Sequence, residues 1–346
     1  MREPLPSAGP PPGLLIDRFG RRLHYLRLSI TDRCNLSCLY CMPSQGMAKL
    51  PHEEVLSLEE LARVARVAVS LGVDKIRLTG GEPLVRRNLA SLLAELDALK
   101  PRPDLRLTTN GLLLADNLDL LVAHGVSTVN VSLDTLKPER YGPITGLGAE
   151  EGRRAFARVW EGIEAALAGG KLAVKINAVL LAGVNDDEAR DFARLTLDRP
   201  LAVRFIEYMP VGRRTPFQAQ RFLPAEEMLQ DLRGMGNLVP LPARPGDGPA
   251  QRYKLENAAG ELGVITALTS HFCAACNRLR LSAEGQLVPC LFSDQTLDIK
   301  SLLRGEADDA KLAEAMLAAA AAKPEHHQQN ANSHRSAGCQ MSRLGG

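Results

Sequence analysis

The chain lacks a net charge of consequence. Its 42 Lys and Arg nearly cancel 40 Asp and Glu, leaving a formal balance of +2 over 346 residues. No overall field therefore favours nucleic acid or a membrane surface. An apolar run approaching the ~20 residues of a spanning helix is missing too. The opening stretch, MREPLPSAGPPPG, is Pro-rich and has no apolar segment of the kind a secretory leader needs. A flexible lead-in over residues 1–20 is the expectation. Nor is there the material for a disulfide framework. Seven cysteines is an odd number and six of them fall in two clusters, which suits metal ligation in a reducing compartment. Cytoplasmic localisation is expected, with no nucleic-acid and no membrane partner.

What is present is concentrated in one loop. Cys34, Cys38 and Cys41 lie in TDRCNLSCLYCMP with the spacing C-x-x-x-C-x-x-C. A cubane [4Fe–4S] cluster takes one ligand per iron, normally four thiolates. This loop supplies three, and places no His, Asp or Glu as a fourth. One iron would stay open to a small molecule, the mark of a catalytic cluster. Zinc with a fourth ligand from elsewhere is the competing reading. A triplet this tight is unusual for zinc, so the spacing favours iron and sulfur. A second set, Cys273, Cys276 and Cys290, also offers three thiolates. There the spacing leaves zinc and a cluster equally open, with Cys339 or His271 able to complete a zinc site. His326, His327 and His334 sit in a polar tail and read as solvated.

From His24 to about Arg233, β-branched runs alternate with helical ones. The runs are HYLRLSI, DKIRLTG, DLRLTTN, STVNVSLD, LAVKINAVLL and AVRFIEYM. In LEELARVARVAVSLG, Leu61, Val64, Ala65, Ala68 and Leu71 share one face. Ser57 with Glu60 predicts a capping box, and Gly72 a stop. Six β–α units predict an α/β fold with a parallel sheet, two units short of a closed barrel. Ligands in such folds gather at the C-terminal strand ends, where the cysteine loop, Gly80-Gly81, Asn110-Gly111, Asp134 and Met209-Pro210 all fall. Near residue 234 a Gly/Pro-rich connection begins. Hairpin-like runs follow, with turns at Ala259-Gly260 and Glu284-Gly285, then an alanine-rich helix. The expected division is 21–233 for the barrel, 234–325 for an α+β extension and 326–346 for a polar tail.

Arg27, Arg77 and Lys175 each interrupt an apolar strand. Alternation puts them opposite their apolar neighbours, facing the barrel interior if those neighbours face the helices. Buried cations are costly without an anionic partner. Internal carboxylates are the plain answer. A triphosphate would neutralise several cations together.

The cysteine loop resembles that of the radical S-adenosylmethionine (SAM) enzymes. RLSITDRCNLSCLYCMP, IRLTGGEPLVR, LTTNG, NVSLD, RFIEYMPVG, FCAACNRLRLS and a terminal Gly-Gly together resemble, in order, the GTP 3′,8-cyclases of molybdenum cofactor biosynthesis. The resemblance implies a partial (β/α)6 TIM-like barrel whose C-terminal extension carries a second [4Fe–4S] cluster. It implies SAM contacts at Tyr40, Gly81, Ser132 and Met209. GTP contacts are implied at Arg27, Arg77, Thr108, Lys175, Arg278, Leu279 and Arg280, with guanine at the second cluster. It further implies a 5′-deoxyadenosyl radical that takes the ribose 3′ hydrogen, a one-electron donor, and a downstream cyclic pyranopterin monophosphate synthase. Gly345 and Gly346 would enter the active site. A homodimer is compatible with the sequence. The alternatives are another radical SAM enzyme, such as a peptide-modifying one, or a non-catalytic two-cluster electron carrier.

Overall fold

Six parallel strands in chain order form the frame: β1 (Tyr25–Ser29), β2 (Lys75–Thr79), β3 (Asp104–Thr109), β4 (Val126–Ser132), β5 (Ala173–Val179) and β6 (Ala202–Ile206). The computed structural model describes residues 13–42, 48–212, 217–244, 248–330 and 340–344. Between and after the strands come α1 (Leu58–Ser70), α2 (Leu89–Asp97), α3 (Leu114–Ala123), α4 (Pro138–Thr145), α5 (Ala149–Gly169), α6 (Ala189–Asp198) and α7 (Ala225–Arg233).

Alternation sorts each strand. Leu26, Leu28, Ile76, Leu78, Leu105 and Leu107 are buried in one core that includes Leu61, Val64, Ala65 and Ala68 of α1. Their neighbours Arg27, Arg77 and Arg106 line a cavity on the other face. The start of α1 is fixed locally. Ser57 Oγ accepts from the Glu60 amide at 3.1 Å, and Glu60 Oε2 from the Ser57 amide at 2.6 Å, the reciprocal cap that the sequence predicts. Gly72 ends the turn at φ +87°, and a Cβ there would lie 2.5 Å from Leu14.

The extension does not simply follow the barrel; it adds a strand to each of its edges. β7 (Leu238–Leu241), β8 (Gln251–Leu255) and β9 (Glu261–Ile265) form an antiparallel meander, and β9 then pairs parallel with β6. On the other side β10 (Arg278–Leu281) pairs parallel with β1 and leads antiparallel into β11 (Gln286–Val288) and β12 (Leu297–Asp298). Both predicted hairpins form, and Gly285 turns at φ +89°. β9 and β10 are not neighbours in the sheet, so the barrel stays open. The loop 266–277, with Cys273 and Cys276, joins the strands on either side of the opening.

After β12 come α8 (Lys300–Arg304), α9 (Asp309–Ala321) and α10 (Met341–Leu344). α9 packs on α1, tied by Arg63 to Asp309 at 2.8 Å. α10 contacts β1, and Thr79 Oγ1 donates to the Leu344 carbonyl at 3.0 Å. Part of the expected polar tail is thus packed inside. The expected lead-in differs as well. Residues 13–20 form an ordered turn in which Leu15 is buried and its amide donates to the Leu71 carbonyl. The Asp17 carboxylate accepts from the Phe19 and Arg21 amides and from the Arg21 side chain. Residues 1–12 lie outside the described residues.

Candidate active site

The first cysteine loop leaves β1 and docks on the end of α4. Ser37 and Leu39 amides donate to Thr145 and Ile144 carbonyls, both at 2.9 Å. A tight turn, with the Cys41 and Met42 amides on the Cys38 carbonyl, folds the three thiols inward. The sequence points to Gly80 and Gly81 as places where backbone meets ligand. Their Cβ space is instead filled by the cysteine loop. An added Cβ would lie 2.5 Å from the Thr31 oxygen at Gly80 and 2.3 Å from the Arg33 oxygen at Gly81. The missing side chains let the two loops bond, Gly81 amide to Thr31 carbonyl at 2.7 Å and Glu82 amide to Arg33 carbonyl at 2.8 Å. Glu82, fully buried, binds the same junction to β3 by accepting from the Thr109 hydroxyl and the Leu84 and Asn110 amides. Burial pushes its carboxyl up to about 7.

Cys34, Cys38, Cys41, Tyr40, Gly81, Thr108 and Ser132 line one cavity. Burial pushes all three thiols up, Cys41 to about 12. Bare thiolates are disfavoured there, and a bound cation would reverse that. The lining holds no Asp, Glu or His among the described residues, so the donor set is all sulfur and fits an iron–sulfur cluster. Tyr40 crosses the cavity to donate to Asp134 Oδ2 at 2.7 Å, while Asp134 Oδ1 accepts from the Val179 amide.

A second cavity adjoins the first, and Met341 lines both. Into it point Arg27, Lys75, Arg77, Arg106, Arg204, Arg278, Arg280 and Lys323, and no carboxylate among the described lining residues. Carboxylate pairing, the plain answer to the strand cations, holds for Arg106, which meets Asp104 at 2.6 Å outside this lining, but not for Arg77. Arg77 is held by Tyr25 at 2.5 Å, the Leu107 carbonyl at 2.7 Å and Thr108 at 3.3 Å. Arg280 is almost fully buried with its Nε unpaired, and burial lowers its guanidinium to about 10. Met209 lines this cavity rather than the first. Lys175 lines an adjoining recess that shares Arg204. Leu279 is excluded by alternation: its side chain is fully buried in the core, opposite Arg278 and Arg280.

Cys273, Cys276 and Cys290 line the same cationic cavity. Burial pushes Cys276 up, but Arg278, Lys323 and Arg280 outweigh it and hold the thiol at about 6. Three thiols, one of them already inclined to ionise, fit a second cluster. Their loop is pinned twice. Glu207, fully buried at the end of β6, accepts from the Leu268, Thr269 and Ala225 amides. Arg21 donates to the carbonyls of Cys273 at 2.7 Å, Pro324 at 2.6 Å and Glu325 at 2.8 Å. His327 is not solvated as the tail composition suggests. It is buried, with its ring 4.1 Å from His271 and 4.2 Å from Phe292. Burial and His271 hold its imidazole down, at about 4. His271, Cys273 and His327 bring one ligand atom each within 4.8 Å. Cys339, His334, Gly345 and Gly346 lie outside the described residues.

The sequence reading passed over Lys75, Arg106, Arg204, Lys323, Tyr25 and Glu207. Lys75 and Arg106 occupy inward positions of strands already drawn, so the alternation rule could have found them. Lys323 and Arg21 carried no local signal, because their partners are distant in sequence.

A profile of the radical SAM superfamily matches residues 28–196, and one of molybdenum cofactor synthesis C matches residues 201–329. The GTP 3′,8-cyclase of Pelotomaculum thermopropionicum is 47% identical over 312 residues, 90% of this chain and 94% of that protein. The chain belongs to the GTP 3′,8-cyclase family. The family member of Geobacter sulfurreducens is 45% identical over 332 residues, covering 96% and 99% of the two chains. Streptococcus suis SuiB bound to S-adenosylmethionine shares the fold. It superposes with a TM-score of 0.54 at 17% identity, over 84% of this chain and 65% of that one. No helix among the described residues is long and apolar enough to cross a membrane.

Proposed function

We propose that this chain converts GTP to (8S)-3′,8-cyclo-7,8-dihydroguanosine 5′-triphosphate by radical SAM chemistry, the first step of molybdopterin biosynthesis. One observation carries the reading beyond the family match. A cavity lined by thiols opens beside a cavity lined by cations, with Met341 between them. The first suits a cluster and its SAM, the second a polyanion.

In this reading Cys34, Cys38 and Cys41 would hold a [4Fe–4S] cluster, three thiolates for its four irons. That cluster, when bound, supplies the electron that splits SAM. Tyr40, Gly81 and Ser132 position SAM from the first cavity, with Tyr40 braced by Asp134, and Met209 reaches it from the second. Cys273, Cys276 and Cys290 hold a second [4Fe–4S] cluster near the base. Arg27, Arg77, Arg278 and Arg280 take the triphosphate, joined by Lys75 and Lys323. Thr108, which touches Arg77, bridges the two cavities. Lys175 acts from the neighbouring recess, and Leu279 contributes backbone only. The protein's work is positioning and exclusion of water, so that the reactive carbon meets one hydrogen. A one-electron donor feeds the site, a cyclic pyranopterin monophosphate synthase takes the product, and the setting is cytoplasmic.

Anaerobic incubation with GTP, SAM and a reductant tests this. 5′-Deoxyadenosine and a cyclised nucleotide triphosphate should accumulate together. SAM cleavage with GTP recovered unchanged would refute the substrate.

A further inference from the structure

The cationic cavity has an internal oddity. It holds many guanidinium and ammonium groups and no carboxylate among the described lining residues; the Asp104 carboxylate that pairs with Arg106 at 2.6 Å lies outside that lining. Like charges packed in a low-dielectric space repel strongly, so an acidic group within the wall would relieve them. Among the described lining residues, Tyr25 is the only one, cysteines aside, that can become an anion. It sits in β1, two residues before Arg27, and is buried. Its oxygen lies 2.5 Å from Arg77 Nε. Lys75 Nζ stands 5.4 Å over its ring. Arg278 is its register partner on β10. Cations thus reach the phenol from three strands: Arg27 from its own, Lys75 and Arg77 from β2, Arg278 and Arg280 from β10.

We propose that Tyr25 is the built-in counter-ion of this cavity. Its phenolate oxygen holds Arg77 while the site is empty. It gives up the negative charge, taking one proton from solvent, when a triphosphate brings its own. The inference rests on the cavity being the triphosphate site. Burial pushes the phenol up, but Arg77 and Arg27 outweigh it and bring it to about 7. A triphosphate beside those cations cancels their pull and restores the ordinary, much higher value. Tyr25 is a positioning residue here, since it acts through Arg77. The coupling sets a direction. Above neutrality, GTP binding must take up a proton, and GTP affinity must fall as pH rises.

Calorimetry of GTP binding to the cluster-loaded enzyme at pH 8, in buffers of different ionisation enthalpy, counts the protons. The terminal phosphate of GTP has already lost its second proton there. Arg27, lowered by burial to about 9, adds only a small fraction at that pH. Close to one proton should be taken up per GTP, and the dissociation constant should rise by up to about tenfold per pH unit above 7. Tyr25→Phe, checked for unchanged iron content, should lose at least half of that uptake and flatten the profile. The tyrosinate absorbance near 295 nm in the unaltered enzyme should drop as GTP is added, a readout independent of the variant. GTP binding with no proton uptake and no loss of tyrosinate would overturn the proposal. Absence of GTP binding at any pH would instead overturn the functional reading beneath it.

Discussion

Replacing Arg280 by Met separates a binding cation from a structural one. Arg280 is buried on β10 beside Arg27, and its Nε has no partner. Met fills similar volume without charge. The change removes a guanidinium whose ionisation burial opposes, and the lost Nε leaves no partner stranded. Folding stability should therefore hold or rise. Toward GTP the change removes a charge-assisted contact of about 1.5–3 kcal/mol. That is roughly a 10- to 150-fold weaker dissociation constant. Arg77→Met should behave differently. It leaves the Leu107 carbonyl and the Tyr25 oxygen without their donor, so it should weaken GTP and lower stability by about 1–3 kcal/mol for each buried group stranded. Anaerobic calorimetry with GTP, paired with thermal unfolding of the same samples, measures both. Unchanged GTP affinity in Arg280→Met would refute the placement of the triphosphate. A large stability loss in that variant would refute the account of Arg280 as an unsatisfied cation.

Anaerobically purified protein should carry about eight irons per chain, as two four-iron clusters require; stoichiometric zinc in an active preparation would remove the second cluster. Serine at Cys34, Cys38 or Cys41 should abolish SAM cleavage. Serine at Cys273, Cys276 or Cys290 should spare part of the cleavage and stop cyclisation, read by quantifying 5′-deoxyadenosine against cyclised product. Glu207→Ala strands two buried amide donors, those of Ala225 and Leu268, and the part-buried amide of Thr269, and should cost about 2 kcal/mol or more in denaturant unfolding. Removing Gly345 and Gly346 should leave iron content intact and remove most turnover; full activity in the truncated chain would refute a role for that end.

The parts of the molecule that were legible in the sequence share one property: their causes are local. The Ser57–Glu60 cap is a three-residue pattern, and it forms as drawn. The strand cations obey a two-residue period, so Arg27 and Arg77 could be aimed inward from neighbours alone. Leu279 shows the same rule neglected. It was carried along between two arginines, although alternation already put it on the opposite face. The rest depends on long-range meetings. Arg21 reaches the Cys273 carbonyl across 252 positions of chain. His327 looks solvated in a run of Glu, His and Gln, and becomes buried only because His271 and Phe292 arrive from elsewhere. That β9 and β10 would flank the barrel was equally hidden, since hairpin signals say which strands turn back, not which distant edge they join.

The pairing of β10 with β1 has a consequence for how the molecule is born. A ribosome releases β1 early and must add some 250 residues before its partner strand exists. Through all that time the nascent sheet presents β1 as a bare edge, and β6 as another until β9 follows it. Bare parallel edges recruit other chains. A chain stopped anywhere before residue 278 would thus be a sticky fragment rather than a smaller enzyme. The stretch around β10 also carries the second trio of thiols to the cavity. The edge strand that closes off β1 and the thiols proposed for a second cluster are therefore made in one late stretch of synthesis.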